Sequence, residues 1–398
     1  VSTQARTWAE VDLSAISNNL RTLRDRVPEG TRLLAVVKAN AYGHGAVPVA
    51  RHLLREGVDR FGVNDVGEAV ELREGGVGAP ILLLGAIFPE EIEEAVAREL
   101  IVSVHDAATV ELLEAEAARQ HRNVTVHLKV DTGLGRLGVP LAAARAVARR
   151  IAAAPHLRFE GLYTHFSSSS PFDLTFTRVQ LKRFEALLGD LAEEGVRPPV
   201  RHVANSASIF SALRAGFEWV RPGIALYGLN PVGALGHDLG LRPALALRTR
   251  VAAVRDLAAG APVGYNQRWF SQAPTRLATL PIGYHDGFPF ALSGTAYALL
   301  RGRKVPVVGA ISMDCITVDA GIVPDARPGD VATLIGSEGA HELPAEALAQ
   351  VARTIPYQIT SCLGRRVQRV YRGREEPRLP LAAEAAPAAS VAQAVRSA

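Results

Sequence analysis

Eight short apolar or mixed runs, beginning near Leu33, Phe61, Ile81, Ile101, Val124, Phe159, His202 and Val220, recur through the first part of the chain, with helix-period stretches such as 89–100 and 140–154 between most of them. Strands alternating with helices eight times over about 200 residues predict a (β/α)₈ barrel of the TIM type. Before the first run, 7–13 alternates as a strand, and Leu13, Ile16, Leu20, Leu23 and Val27 follow at helical spacing. Ser14 is the expected cap of that helix, with Leu13 as its hydrophobic staple.

From about residue 240 the texture changes to short β-rich runs at 246–254, 275–282, 304–308, 316–318 and 366–371, closely punctuated by Gly and Pro. The expectation is therefore an α/β chain with a second, mainly β C-terminal domain. Its divisions are an N-terminal strand 1–13 joining the β domain, a barrel over 14–240, the β-rich domain over 241–378, and a mobile tail over 379–398 that is rich in alanine. A length of 398 residues suits a large barrel plus a smaller module.

Barrel enzymes place their chemistry at the C-terminal ends of strands. Lys38, Lys129, His165, Asn205 with Ser206, and Arg221 all fall where an apolar run stops. Of 44 basic residues only four are lysines, namely Lys38, Lys129, Lys182 and Lys304, and two of these end apolar strands. A lysine kept where the chain otherwise writes arginine suits an amine that must lose its proton, which arginine cannot do. Desolvated at a strand end, Lys38 gains the chemistry of a nucleophile towards carbonyls, which is that of a Schiff base. A lysine snorkelling from a barrel rim is the plain alternative. The loops after strands seven and eight carry Asn205-Ser206 and Pro222-Gly223-Ile224, whose amides and small hydroxyl suit a phosphate.

The formal charge is only +4, with arginines spread among acids, which argues against a nucleic-acid partner. No apolar run reaches the roughly 18 residues of a membrane span. Cys315 and Cys362 form no metal or disulfide pattern, so a cytoplasmic enzyme is expected. Gly133-Leu134-Gly135-Arg136-Leu137-Gly138 is a literal G-x-G-x-x-G after a strand-like run, and Glu160 lies near the place of a ribose-binding acid. A nicotinamide dehydrogenase is thus the second reading, although Arg136 is not required by that fingerprint and Glu160 precedes its apolar run. A metal hydrolase is a third reading, but residues 33–45 supply a single histidine, His44, and no H-E-x-x-H exists, so no metal is expected. A non-catalytic binding module would not need so many polar groups on one barrel face.

The segment Val37-Lys38-Ala39-Asn40-Ala41-Tyr42-Gly43-His44-Gly45 resembles the cofactor-lysine segment of the alanine racemase family. Further similarity lies in 129–136, Thr164-His165-Phe166, 202–206, 221–228, Gly264-Tyr265, 283–287, Met313-Asp314 and Ile355-Pro356-Tyr357. The resemblance implies a barrel plus β domain that binds pyridoxal 5'-phosphate, acts as a homodimer with shared active sites, and interconverts L- and D-alanine with Lys38 and Tyr265 as the two bases. It implies that Lys38 holds the cofactor, that Tyr42, Ser206, Gly223, Ile224 and Tyr357 bind its phosphate, and that Arg221 faces the pyridine nitrogen. Arg136 would contact cofactor and substrate carboxylate, Met313 would line the substrate pocket, and His165 would lie between Arg221 and Tyr265. Lys129 would support Arg136, as a carbamate in many relatives or as an unmodified lysine paired with an acid. For Arg221 the plain alternative is a structural salt bridge. Such an enzyme supplies D-alanine for bacterial peptidoglycan.

The chain departs from the family pattern in Asn266-Gln267-Arg268-Trp269 after Tyr265, in Ser167 to Ser170, and in Gln358 after Tyr357. These changes bear on substrate range more than on reaction type. Tyr357, Tyr284 and Met313 imply a compact pocket that favours alanine, with serine or a larger amino acid as alternatives.

Overall fold

The structure, a computed structural model, describes residues 5–168, 173–211, 217–233 and 238–373. The expected mobile tail and Ser169 and Ser170 lie outside the described residues. Eight parallel strands form the barrel: 32–36, Phe61–Val63, Ile81–Leu83, Ile101–Val104, Val124–Asp131, Leu157–Tyr163, Val200–Asn205 and Trp219–Arg221. The first strand pairs with the eighth through Arg32↔Trp219 and Leu33↔Val220, and with the second through Ala35↔Phe61 and Val36↔Gly62, so it is bonded on both edges and closes the ring. The outer helices bury one stripe each. Leu141–Ala153, for example, buries Ala144, Val147, Ala148 and Ile151 against the strands.

The first helix, Leu13–Arg24, begins differently from expectation. Asp12 is its cap, accepting the amides of Ser14 at 2.8 Å and Ala15 at 3.2 Å, and the Ser14 hydroxyl itself donates to Asp12 at 2.6 Å. A carboxylate two residues earlier is a pure acceptor and carries the charge that a helix N-terminus favours, so it displaces the hydroxyl from that role.

The second sheet runs Ala253–Leu257, Thr275–Leu280, Ile316–Asp319, Arg303–Val308, Tyr297–Leu300, Val331–Glu338, Leu245–Arg250, Thr7–Asp12, Gln368–Arg372. Its pairs are antiparallel except the last, where the strand near the N-terminus lies parallel to the strand at the far end of the described chain. A core of its own, including Leu280, Phe288, Leu299 and Leu334, is separate from the barrel core. The run 246–254 is two strands, because the chain turns after Arg250 and its halves pair with different partners. The strands Tyr297–Leu300 and Val331–Glu338 and the helices Ala345–Val351 and Pro356–Ser361 were not legible as periodic patterns. Helices of seven and six residues complete barely two turns, too few to establish a period.

Candidate active site

The C-terminal ends of the barrel strands open on a cavity of about 440 Å³. Lys38, Tyr42, Lys129, Arg136, His165, Ser206, Arg221, Gly223, Ile224 and Tyr357 all line it. Residues far apart along the chain converge there, as expected if barrel topology gathers strand ends. Tyr265 and Met313 do not line it; they are 72% and 51% exposed on the β domain.

Lys38 follows the first strand immediately, and residues 39–42 after it are left-handed, with φ near +53° at each. Non-glycine residues in that conformation cost roughly 1–2 kcal/mol each, so other contacts must hold the turn. Glu68 does so from a neighbouring helix, its two carboxylate oxygens accepting the amides of Ala39 and Asn64 at 2.6 Å each. The Asn40 side chain accepts the Ala46 amide at 2.8 Å. The turn brings Tyr42 against the loop after strand eight. A Cβ on Gly223 would lie 2.4 Å from the Tyr42 hydroxyl, so only glycine allows that approach.

From the end of strand seven the Ser206 hydroxyl accepts the Gly223 amide of that loop at 2.9 Å and the Ala225 amide at 3.4 Å. Small hydroxyl, close backbone and two tyrosines, with Tyr42 and Tyr357 ring centres 6.0 Å apart, make a cradle that fits a phosphate group. Beside it lie amines and guanidinium groups with no ion-pair partner among the described residues. Burial lowers the Lys38 pKa, helped by Arg136 and opposed by Glu68. Burial also lowers Lys129, to about 7, and the cations of Arg221, Arg136 and Lys38 push the same way. Lys129 can therefore present a neutral amine near neutral pH, and Lys38 is shifted towards the same nucleophilic form. Among the described residues no acid forms an ion pair with Lys129; Asp131, two residues on, accepts the amides of Gly133, Leu134 and Gly135.

That last contact also disposes of the dinucleotide fingerprint. The glycine-loop amides are taken by Asp131, and Glu160 bonds His127 inside the barrel, so neither half of the fingerprint is arranged for a dinucleotide. Among the described residues no group of three or more His, Cys, Asp or Glu side chains is gathered to hold a metal ion, which leaves the hydrolase reading without support.

Arg221 is buried, and burial lowers its pKa to about 10, still well above neutral pH. Its terminal nitrogens donate to His202 Nδ1 at 2.8 Å, His165 Nδ1 at 3.2 Å and the carbonyls of Thr164, His202 and Val203. No salt bridge engages it among the described residues, so the structural ion-pair alternative fails. His165 accepts from Arg221; Tyr265 of the same chain is not part of that cavity.

Comparison with known proteins agrees with this arrangement. The alanine racemase N-terminal domain family matches residues 11–231, and the alanine racemase C-terminal domain family matches 244–371. The chain belongs to the alanine racemase family. An alanine racemase of Symbiobacterium thermophilum is 44% identical over 370 residues, covering 92% of this chain and 97% of that protein. Another, of Syntrophobacter fumaroxidans, is 38% identical and covers 91% and 96%. Among solved structures, alanine racemase from D-cycloserine-producing Streptomyces lavendulae superposes with a TM-score of 0.88 at 38% identity, covering 93% of this chain and 98% of that one. The Bartonella henselae alanine racemase, which carries covalently bound pyridoxal phosphate, superposes with a TM-score of 0.81 at 32% identity, covering 92% and 99%.

Within this alanine racemase fold, sequence reasoning overlooked Glu68, Asp131 and the pair His127 and His202 as parts of the site's support. Glu68 and Asp131 act on backbone amides, which leave no mark in side-chain patterns. The two histidines had a signal: each interrupts an apolar barrel strand at an inward position.

Proposed function

We propose that this chain is a pyridoxal-phosphate-dependent amino-acid racemase acting on alanine, with Lys38 and Tyr265 as its two bases. The observation that carries the reading is Lys38, a desolvated amine beside the Ser206–Gly223 cradle. The names of its relatives support the same activity. Bound cofactor would supply an electron-accepting ring that acidifies the α-hydrogen of an attached amino acid. Lys38 would hold it covalently, while Tyr42, Ser206, Tyr357 and the backbone of Gly223 and Ile224 hold its phosphate. Arg221, which stays protonated, would face the ring nitrogen. Arg136 and Met313 would bind the substrate, Arg136 through the carboxylate. Lys38 would take or return the proton at Cα on one face, and Tyr265 on the other.

Tyr265 and Met313, exposed on the β domain, fit a homodimer in which they complete the partner's cavity. Lys129, buried among cations and without an ion pair among the described residues, suits a carbamate that supplies negative charge to Arg136. Two free cysteines suit the cytoplasm, and D-alanine made there would feed peptidoglycan synthesis. No described helix is long and apolar enough to cross a membrane.

Incubation with a panel of L-amino acids, followed by chiral chromatography, tests the reading. D-alanine should form fastest without any added nicotinamide cofactor. Borohydride should fix the cofactor to the peptide bearing Lys38; a label elsewhere, or no racemisation of any amino acid, would refute it.

A further inference from the structure

Glu160 has no place in the site above. It lies at the other end of the barrel, where the strands begin, among the residues lining a second cavity of about 410 Å³. Its position is unusual. The pairing of strands five and six runs Val126↔Phe159 and then His127↔Gly161, so Glu160 is the extra residue of a bulge. A bulge breaks the two-residue alternation and re-aims a side chain. Here it brings the Glu160 carboxylate to His127 Nε2 at 3.0 Å. Gly161 makes the room: a Cβ there would lie 2.3 Å from the His127 ring.

From His127 the contacts continue through the barrel interior. His127 Nδ1 lies 2.8 Å from His202 Nε2, and His202 Nδ1 lies 2.8 Å from Arg221 Nη1. Both imidazoles are fully buried. Their protonation follows from what the ends can do. A guanidinium only donates, so His202 Nδ1 must be bare and its proton must sit on Nε2. That proton is donated to His127 Nδ1, which leaves the His127 proton on Nε2, donated in turn to a carboxylate that only accepts. Every bond then has one donor and one acceptor, in a single direction. Burial first, then the cation of Arg221, holds His202 well below its ordinary pKa, and burial lowers that of His127, so both stay neutral. The groups around the far end are Arg158, which donates to the other Glu160 oxygen at 3.1 Å, and Arg60.

We propose that Glu160 is a positioning residue for Arg221. Acting through His127 and His202, it fixes the direction of the hydrogen bonds that orient the guanidinium. This rests on the racemase reading for its consequence at the cofactor, since Arg221 is the group assigned to the ring nitrogen. An Arg221 held charged and still favours return of the proton to Cα over transfer of the amino group to the cofactor, a side reaction that leaves the aminated cofactor and releases pyruvate from alanine.

Nitrogen-15 spectra of histidine-labelled, cofactor-loaded protein test it directly. His127 and His202 should both be neutral and protonated on Nε2 from about pH 6 to about pH 9, where an ordinary histidine would change charge. Glu160→Leu should lose the single His127 tautomer and lower kcat about tenfold with KM little changed, the size of effect typical when an outer partner of a functional group is removed. Pyruvate released per racemisation event should rise in that variant. Glu160→Gln, whose carbonyl oxygen still accepts, should keep the tautomers and most of the rate. A proton on His202 Nδ1, or a folded Glu160→Leu with wild-type tautomers, kcat and pyruvate ratio, would overturn the proposal. Should Glu160→Leu fail to fold, the wild-type tautomers still decide it. Wild-type protein that shows the tautomers but does not racemise alanine would count against the racemase reading alone.

Discussion

The two mouths of the barrel hold cavities of nearly equal size, about 440 Å³ at the strand C-termini and about 410 Å³ at the N-termini, and both are rich in cations. They differ in whether those cations are matched. At the N-terminal mouth Arg60 bonds Asp59 at 3.0 Å, Arg122 bonds Glu99 at 2.7 Å, Arg158 bonds Glu160 at 3.1 Å, and Arg73 donates to the carbonyls of Val77 and Ala79. At the C-terminal mouth Lys38, Lys129, Arg136 and Arg221 crowd together without an ion pair among the described residues, and burial first, then the neighbouring cations, lower the pKa of both lysines. Holding like charges together costs folding free energy, which a chain retains only where a ligand supplies the missing anions. Size and composition do not separate the two cavities; unmatched charge does.

On the proposed reading the C-terminal mouth is completed by a ligand and a partner subunit, whereas the charges at the N-terminal one are already matched. The largest effect should come from testing that. Lys38→Ala and Tyr265→Ala should each lose racemisation by about 10³-fold or more, since each removes a group that acts as part of a unit. Mixed and allowed to exchange subunits, the two variants should recover about a quarter of the wild-type sites, because half the dimers are mixed and one of their two sites receives neither substitution. Continued inactivity despite verified exchange would mean that each chain completes its own cavity.

A smaller effect is expected at Lys129. Its amine, with a pKa of about 7, becomes mostly neutral as the pH rises through that value, and only the neutral amine attacks carbon dioxide. At constant carbon dioxide pressure a carbon-13 carbamate signal should therefore grow between about pH 6 and pH 8, and Lys129→Ala should abolish it while lowering kcat/KM about tenfold through loss of support to Arg136. A signal that is absent at every pH would leave the mouth more positive than a carbamate allows.

The smallest effect is expected at the matched mouth. Arg122 and Glu99 are 42% and 78% exposed, so their ion pair is well screened. Arg122→Ala should change stability by less than about 1 kcal/mol, measured by urea unfolding, and leave racemisation unaltered. A large loss of activity in this variant would break the contrast between the two ends.

How much of this was legible beforehand follows the range of the interactions. Barrel strands, the lysine at the end of the first one, and the loops that make the cradle were all readable, because strand period, glycine turns and residue chemistry are written in consecutive residues. Ten of the residues named from the sequence do line one cavity. Whether a charge is matched was not readable, since Lys129 has Asp131 two residues away and still has no ion-pair partner among the described residues, the carboxylate being turned to backbone amides. Nor was the cap of the first helix, where Ser14 and Asp12 compete for the same amides and only the folded backbone shows which reaches them.

Glu160 marks the boundary most sharply. Its sequence spacing suited a ribose, yet a one-residue bulge turns it into the barrel, where it meets a histidine 33 positions away and, through it, another 75 positions further on. Residue type, strand period and strand ends belong to the sequence alone, because each depends on neighbours along the chain. Which side chain neutralises, orients or deprives another is decided by tertiary structure, because those energies depend on distance and burial that only the closed barrel creates.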